Sequence, residues 1–479
     1  MDAPVAYSEG HTPAESARRL ALFRYVEANL MRMMAGWLAK VGEWEVKIEL
    51  GRQLWEDAEH ADALGERLPE LRLAPARVPP LPAALAGVLE AADRGASDAA
   101  TLLAGLHRAI KPRLIAEMRQ YLGSTDPVYD QPSVLLLERV IAEETAQIER
   151  VERLLDALLI SAERRERAAA WQRELSSRLD AAGGIVSPAF PEPERGGAPA
   201  RPAPLLLGPP GGAAEELAAR ARLGPPELRM CARDGRWRLI DLDEPMPPPP
   251  DGPLEAQMWR WARSADGEMI AGEQPARDIY EYPEMPWRFH YLLARQVWDE
   301  ARHALMAEQR LRRLGGRLDP TIAVTRERMS VSSALPLWQR IYLANLTVEA
   351  GLLRSFPYVR DVHVAEGDLD SAAIIDYFVA DEVVHVRIGN EIDASYFARG
   401  DRSLRAELLR LTRETEARRL REELELFRRT GKPASDQVPP GLRQDVPPAN
   451  QELLRLAGFS AEEARELAYY RGVLYAEGT

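Results

Sequence analysis

Cysteine is almost missing from this chain. Cys231 stands alone among 479 residues, so no internal disulfide forms and no thiolate cluster holds a metal. A reducing, cytoplasmic setting is expected. Basic excess is missing too: the formal net charge is -13 and the sequence pI about 5.3, which argues against nucleic acid or an anionic membrane as the main partner. The opening residues, through Tyr7-Ser8-Glu9-Gly10, lack a basic segment and an apolar core, and no signal peptide is read there. The longest apolar runs are interrupted by Arg, Glu or Lys well short of bilayer length, so no transmembrane helix is expected. No flavin or nicotinamide fingerprint is recognisable.

Helix-forming residues are abundant. Ala, Leu, Arg and Glu dominate outside the loops, in a composition 46% hydrophobic and 29% charged, which predicts an all-α fold. The length suggests two domains. Between Gly184 and Pro253 the composition changes, for this stretch holds 16 of the 37 prolines and cannot be regular structure for most of its length. The resulting division is a helical domain over 12–180, a Pro/Gly-rich connector over 181–253, a second helical domain over 254–400 and a C-terminal helical extension over 401–479. Inside the connector, Met230 to Ile240 is a candidate small β-hairpin about an Asp234-Gly235 turn, and Ala213 to Leu223 a candidate short helix.

Periodicity places two helices between Thr12 and Leu71, with Thr12 as cap, Pro13 in the first turn and a turn near Val41-Gly42. Two more are read at roughly 85–121, with Lys111-Pro112 as a candidate break, and 132–178. In the second domain the helices are Leu254 to Tyr282, Trp287 to Leu314, Ser333 to Phe356 behind candidate caps Ser332 and Ser333, and Leu369 to Phe397. A charged helix follows from Arg402 to Gly431. Short helices are read around Asn450 to Ala457 and after Ser460, with Glu463 three residues on.

Chemistry enters with two six-residue stretches, Trp298-Asp299-Glu300-Ala301-Arg302-His303 and Ala380-Asp381-Glu382-Val383-Val384-His385. Each sets a Glu and a His three residues apart, on one face of a helix. Two such faces turned toward each other, with one Glu from each of two further helices, make the donor set of a di-iron or di-manganese carboxylate centre in a four-helix bundle. A single Glu-x-x-His is usually a solvated helix face; two in one helical region favour a metal.

The first domain carries a second version. Trp55-Glu56-Asp57-Ala58-Glu59-His60 aligns with Trp298 to His303, and Trp44 aligns with Trp287 at the same offset, so the halves read as copies of one four-helix unit. In the first copy Asp57 replaces Glu300 and Gln147 stands where His385 would be, a poor ligand for iron. Glu27, Asp57, His60, Glu117, Glu144 and Gln147 are therefore the candidate residues of a degenerate site, with a mononuclear or altered metal site as the alternative, Glu117 being set against Glu349 and Glu27 against Glu273.

Glu273, the Pro283-Glu284-Met285-Pro286 turn, Glu300 to His303, Glu349-Ala350-Gly351, Asp381 to Gly389 and the tail Pro448 to Phe459 together resemble a bacterial ferritin-like family, domain of unknown function four-five-five, over roughly 255–470. The resemblance implies a ferritin-like bundle in the second domain with metal ligands Glu273, Glu300, His303, Glu349, Glu382 and His385, and the repeat extends that expectation to two ferritin-like bundles. Pro275 departs from a regular helix beside Glu273, and Glu268 is the competing ligand. Asp299 and Asp381 are candidates to hold the outer ring nitrogens, Asp381 for His303 and Asp299 for His385. Tyr342, two turns before Glu349, is a candidate hydrogen-bond donor or redox phenol as well as a core aromatic.

The function expected is that of a non-haem di-iron, or di-manganese, oxygen-activating oxidoreductase on a small organic substrate, with Glu273, Glu300, Glu349 and Glu382 at the reacting centre. Dioxygen is the co-substrate, a separate protein is a candidate electron donor, and a homodimer is the candidate assembly. The competing expectations are a metal store and a bundle in which metals only cement the structure.

Overall fold

A computed structural model describes residues 10–74, 82–186, 232–240, 247, 249–320, 323–325, 335–414 and 451–464. The chain divides into two compact units, Met1–Pro202 and Ala203–Thr479, and the described residues are all-α apart from two three-residue strands. The connector helix at 213–223, the caps Ser332 and Ser333, and the outer part of the 402–431 helix lie outside the described residues. Among those described, no helix is long and apolar enough to cross a membrane.

The N-terminal unit opens with α1 (Pro13–Leu38) and α2 (Trp44–Glu70). Thr12 Oγ1 accepts the Glu15 amide at 3.2 Å and Pro13 fills the first turn, the local chemistry that starts a helix there. Next come α3 (Ala83–Gly95) and α4 (Ala99–Gly105), separated because Asp98 forms a capping box with Thr101 and begins a new helix. A wide π turn, π1 (Leu106–Ile110), leads into α5 (Lys111–Ser124). The chain therefore does not break at Lys111-Pro112. Pro112 has no N–H to offer a preceding carbonyl, and it falls directly after the π turn, where the regular bonding ladder is already rearranged. The expected 132–178 helix is two, α6 (Gln131–Leu158) and α7 (Ala162–Ala181), because Ser161 caps a new start.

In the C-terminal unit β1 (Arg238–Ile240) follows a turn closed by Trp237 N–H to Asp234 O. The hairpin expectation is corrected here. Residues 232–234 are not strand, and β1 pairs in parallel with β2 (Ala323–Thr325), which arrives more than eighty residues later. Four helical legs build the bundle: α8 (Pro253–Glu281), α9 (Trp287–Arg313), a third leg made of α10 (Leu337–Leu343), a second π turn π2 (Ala344–Glu349) and α11 (Ala350–Ala365), and α12 (Leu369–Tyr396). Pro275 lies inside α8 without ending it. A helix over 402–414, α13, and α14 (Gln451–Leu456) follow. Arg405 ties this extension to the bundle through Asp393, Asn390 and Glu463, each at 2.6 Å.

Close backbone approach at two glycines sets the bundle's inner dimension. A Cβ on Gly272 would lie 3.1 Å from Glu300 Cβ, so α8 rests directly on the turn of α9 that carries Glu300. A Cβ on Gly389 would lie 2.5 Å from Asn345 Cβ, so only glycine lets α12 press against π2.

Candidate metal centre

The facing i, i+3 pairs meet. Glu300 and His303 from α9 and Glu382 and His385 from α12 are all buried, and the two imidazole rings stand 5.9 Å apart between centroids. Two donor groups form around them, each with ligand atoms within 4.8 Å of one another. One is Glu268, Glu300, His303 and Glu382; the other is Glu300, Glu349, Glu382 and His385. Glu300 and Glu382 belong to both, so they would be shared between two ions if each group held one.

The protein's own hydrogen bonds leave this cluster unfinished. Both carboxylate oxygens of Glu300, Oε1 of Glu382 and Nδ1 of His303 are buried with no hydrogen-bond partner. Orphans of this kind are costly unless a cation completes them. The residues fit a pair of divalent ions in charge as well: Glu268, Glu300, Glu349 and Glu382 carry four negative charges when ionised, and two M(II) ions with neutral imidazoles cancel them. In the metal-free chain burial holds Glu349 well above the ordinary carboxylate range, reinforced by Glu382 and Glu300, and raises Glu268 to about 7. Glu300 is the opposite case. Burial works against its charge, but His385 and His303 bring it down to about 2.

The imidazoles are held from behind. His303 Nε2 donates to Asp381 at 2.9 Å, so its Nδ1 faces the cluster, 3.3 Å from Glu300 Oε2. His385 Nδ1 faces Glu382 and Glu300 at 3.1 Å each, while its Nε2 lies 3.5 Å from Asp299. Asp299 and Asp381 are in turn linked by Arg302, at 2.9 and 2.6 Å, and Arg295 also binds Asp299. Arg302 was open to inference from its place next to His303, but an isolated Arg on a helix carries no signal of what it clamps. Phe378 stacks over His303 at 4.2 Å and seals that side. Asn345, in π2, donates to Gln296 and to the His385 carbonyl at 2.7 and 2.9 Å, fixing the third leg against the other two.

Three expected site residues lie elsewhere. Glu273 is buried but is bound by Arg233 at 2.7 and 3.2 Å, with Asp266 beside it on the same guanidinium at 2.8 Å. Five residues separate it from Glu268, roughly 140° around the helix, so only one of the two faces the centre, and that one is Glu268. Tyr342 turns its hydroxyl to Asp393, which Arg405 also holds, and anchors the C-terminal extension rather than the centre. In the N-terminal unit Glu117 accepts the amides of Ile185 and Val186 and pairs with Arg113.

What does gather in that unit is Glu27, Asp57, His60 and Glu144, all fully buried, joined by Lys111 and Gln147. Lys111 was missed because a buried lysine among acids has no spacing rule. The same kinds of contact occur inside each unit. His107 pairs with Gln53 in π1 as Asn345 does with Gln296 in π2, and Glu143 holds His60 Nε2 at 2.7 Å as Asp381 holds His303.

Residues 218–430 match the model of a family described as Protein of unknown function (DUF455), a stretch that contains every donor of the C-terminal centre. No curated protein and no solved structure matches the chain.

Proposed function

We propose that the C-terminal unit is an oxygen-dependent oxidoreductase acting on a small organic substrate, built around two iron or manganese ions held by Glu268, Glu300, His303, Glu349, Glu382 and His385. The observation that carries this reading is the sharing of Glu300 and Glu382 between two complete donor groups. Oxygen and imidazole donors without thiolate suit Fe(II) and Mn(II). A pair of such ions held by these residues would supply two electrons for the reduction of dioxygen at one place. The chain's part is positional. Asp381 fixes the His303 ring by a hydrogen bond and Asp299 lies 3.5 Å behind the His385 ring, so that each imidazole would present Nδ1 as ligand. Phe378 keeps water from His303, and Gly272 and Gly389 hold the legs close enough for four helices to share one site. Glu268 keeps 14% side-chain exposure, whereas Glu300, His303, Glu382 and His385 keep at most 1%, so its edge is the side from which a small molecule approaches.

The test is anaerobic loading of the purified chain with Fe(II) or Mn(II), elemental analysis, and exposure to oxygen with a reductant present. Two ions that depend on Glu300 and Glu382, with oxygen consumed in proportion to reductant and no mineral formed, support the reading. Growth of a ferric mineral points to storage instead. Ions inert to oxygen point to a structural role, and a chain that takes up no ion in this unit refutes the centre itself.

A further inference from the structure

We propose that the N-terminal unit holds one divalent first-row metal ion on Glu27, His60 and Glu144, with the Lys111 ammonium occupying the place of a second ion. This site lies outside the stretch matched by the family and is independent of the oxidative reading of the other unit.

The argument starts from unsatisfied donors. Both carboxylate oxygens of Glu27, Nδ1 of His60 and Oε2 of Glu144 are buried without a hydrogen-bond partner, and all three residues have 0% exposure. They point at one another: His60 Nδ1 is 3.6 Å from Glu27 Oε2 and 3.5 Å from Glu144 Oε1. His60 is already set as a ligand, since its Nε2–H donates to Glu143 at 2.7 Å and leaves the Nδ1 lone pair turned inward. These three correspond in role to Glu268, His303 and Glu382 of the C-terminal centre, so the counterpart of Glu27 is Glu268 and not Glu273.

The other half is filled by protein. Lys111 directly follows π1, where Glu349 closes π2, and its Nζ donates to Glu144 Oε1 at 2.7 Å and to both oxygens of Asp57 at 3.0 Å. Gln147, three residues after Glu144 as His385 is three after Glu382, donates to Asp57 Oδ1 at 2.9 Å. Asp57 is thereby spent on Lys111 and Gln147, while the free donors remain on the Glu27 side. Charge gives the same count. Glu27, Asp57 and Glu144 contribute three negative charges and Lys111 one positive, a remainder that one M(II) ion cancels. The four carboxylates of the C-terminal centre need two. Without an ion, Glu27 would be a buried carboxyl with neither oxygen hydrogen-bonded.

The test uses the full chain and cobalt(II), counted by elemental analysis with the visible absorption of the bound ion as a second readout. The wild type is expected to bind three ions, two in the C-terminal centre and one here. The E300Q/E382Q chain should keep one, and adding E27Q should lower its affinity at least about tenfold. Adding K111E and Q147H to E300Q/E382Q should raise the count from one to two, a gain that misfolding cannot mimic. Because E27Q can disturb folding, hydrogen exchange of α1 and α2 peptides in E300Q/E382Q should slow when cobalt is added. An E300Q/E382Q chain that binds no cobalt, or binds one ion indifferent to E27Q with no change in α1 and α2 exchange, overturns the proposal. A wild type that binds a single ion, removed by E27Q but not by E300Q/E382Q, upholds it while refuting the dinuclear centre.

Discussion

Replacing Lys111 with Met measures what an uncompensated buried charge costs in this protein. Lys111 Nζ lies 2.7 to 3.0 Å from three carboxylate oxygens, and none of the three side chains is exposed. Methionine keeps much of the lysine stem's volume, so packing changes little and the loss is mainly electrostatic. Removing one partner of a buried ion pair costs about 3–5 kcal/mol, and here two acids lose the same partner, so the upper part of that range is expected near pH 8. The penalty should shrink on acidification. Burial already raises Asp57 well above the usual carboxylate range, and Lys111 is the strongest influence pulling it back down. Glu144, which burial would raise, sits at about 2 chiefly because of Lys111. A carboxyl held below its unfolded value gives stability that is complete above the unfolded pKa and lost as pH falls toward 2. K111M forfeits that contribution and lets both acids escape by taking up protons, which is easier at pH 5 than at pH 8. The assay is urea-dependent hydrogen exchange of α2, α5 and α6 peptides in chelator, so that bound cations do not mask the effect. D57N added to K111M should restore part of the loss. A penalty under about 1 kcal/mol at pH 8, or one that does not grow with pH, would mean that water reaches these acids and that the buried ammonium is not what neutralises them.

The two acids of α8 separate cleanly. E268Q should weaken metal binding by about tenfold or more while E273Q leaves the ion count unchanged and lowers stability by about 3 kcal/mol, because Arg233 then stays buried with one acid fewer; equal metal loss in both would return Glu273 to the centre. G389A should cost about 1–3 kcal/mol by thermal unfolding, since the new Cβ meets Asn345 Cβ at 2.5 Å and α12 must move off π2; an unchanged melting temperature would show that the helices are not in that contact. In chelator, stability should fall as pH rises from about 4.5 to 7. Glu268, raised to about 7, keeps its proton in the folded chain over that window while the unfolded chain releases it. Metal loading, which needs the ionised carboxylate, should flatten or reverse the slope, and a metal-free melting temperature that rises with pH would contradict the burial of that carboxyl.

The sequence by itself determined the parts whose geometry is local. Glu300 with His303, and Glu382 with His385, share a helix face because three residues make nearly one turn. Thr12 with Pro13, and Ser460 with Glu463, start helices through bonds within four residues. The all-α class follows from composition and period alone. Only tertiary structure decided the rest. A lone acid has no partner at fixed spacing, so Glu268 and Glu273 are distinguishable only once α8 is phased against α9 and Arg233 arrives from forty residues upstream to neutralise one of them. The π turns before Lys111 and through Glu349 shift the register of the third leg by amounts a regular 3.6-residue period does not contain, which is why Glu117 was paired with Glu349 when Lys111 occupies that place. Strand β1 had a legible turn but an unreadable partner, since β2 lies more than eighty residues away and pairing depends on where the intervening bundle delivers it. Local bonding fixes which residues face together; which faces meet is settled by packing between segments distant in the chain.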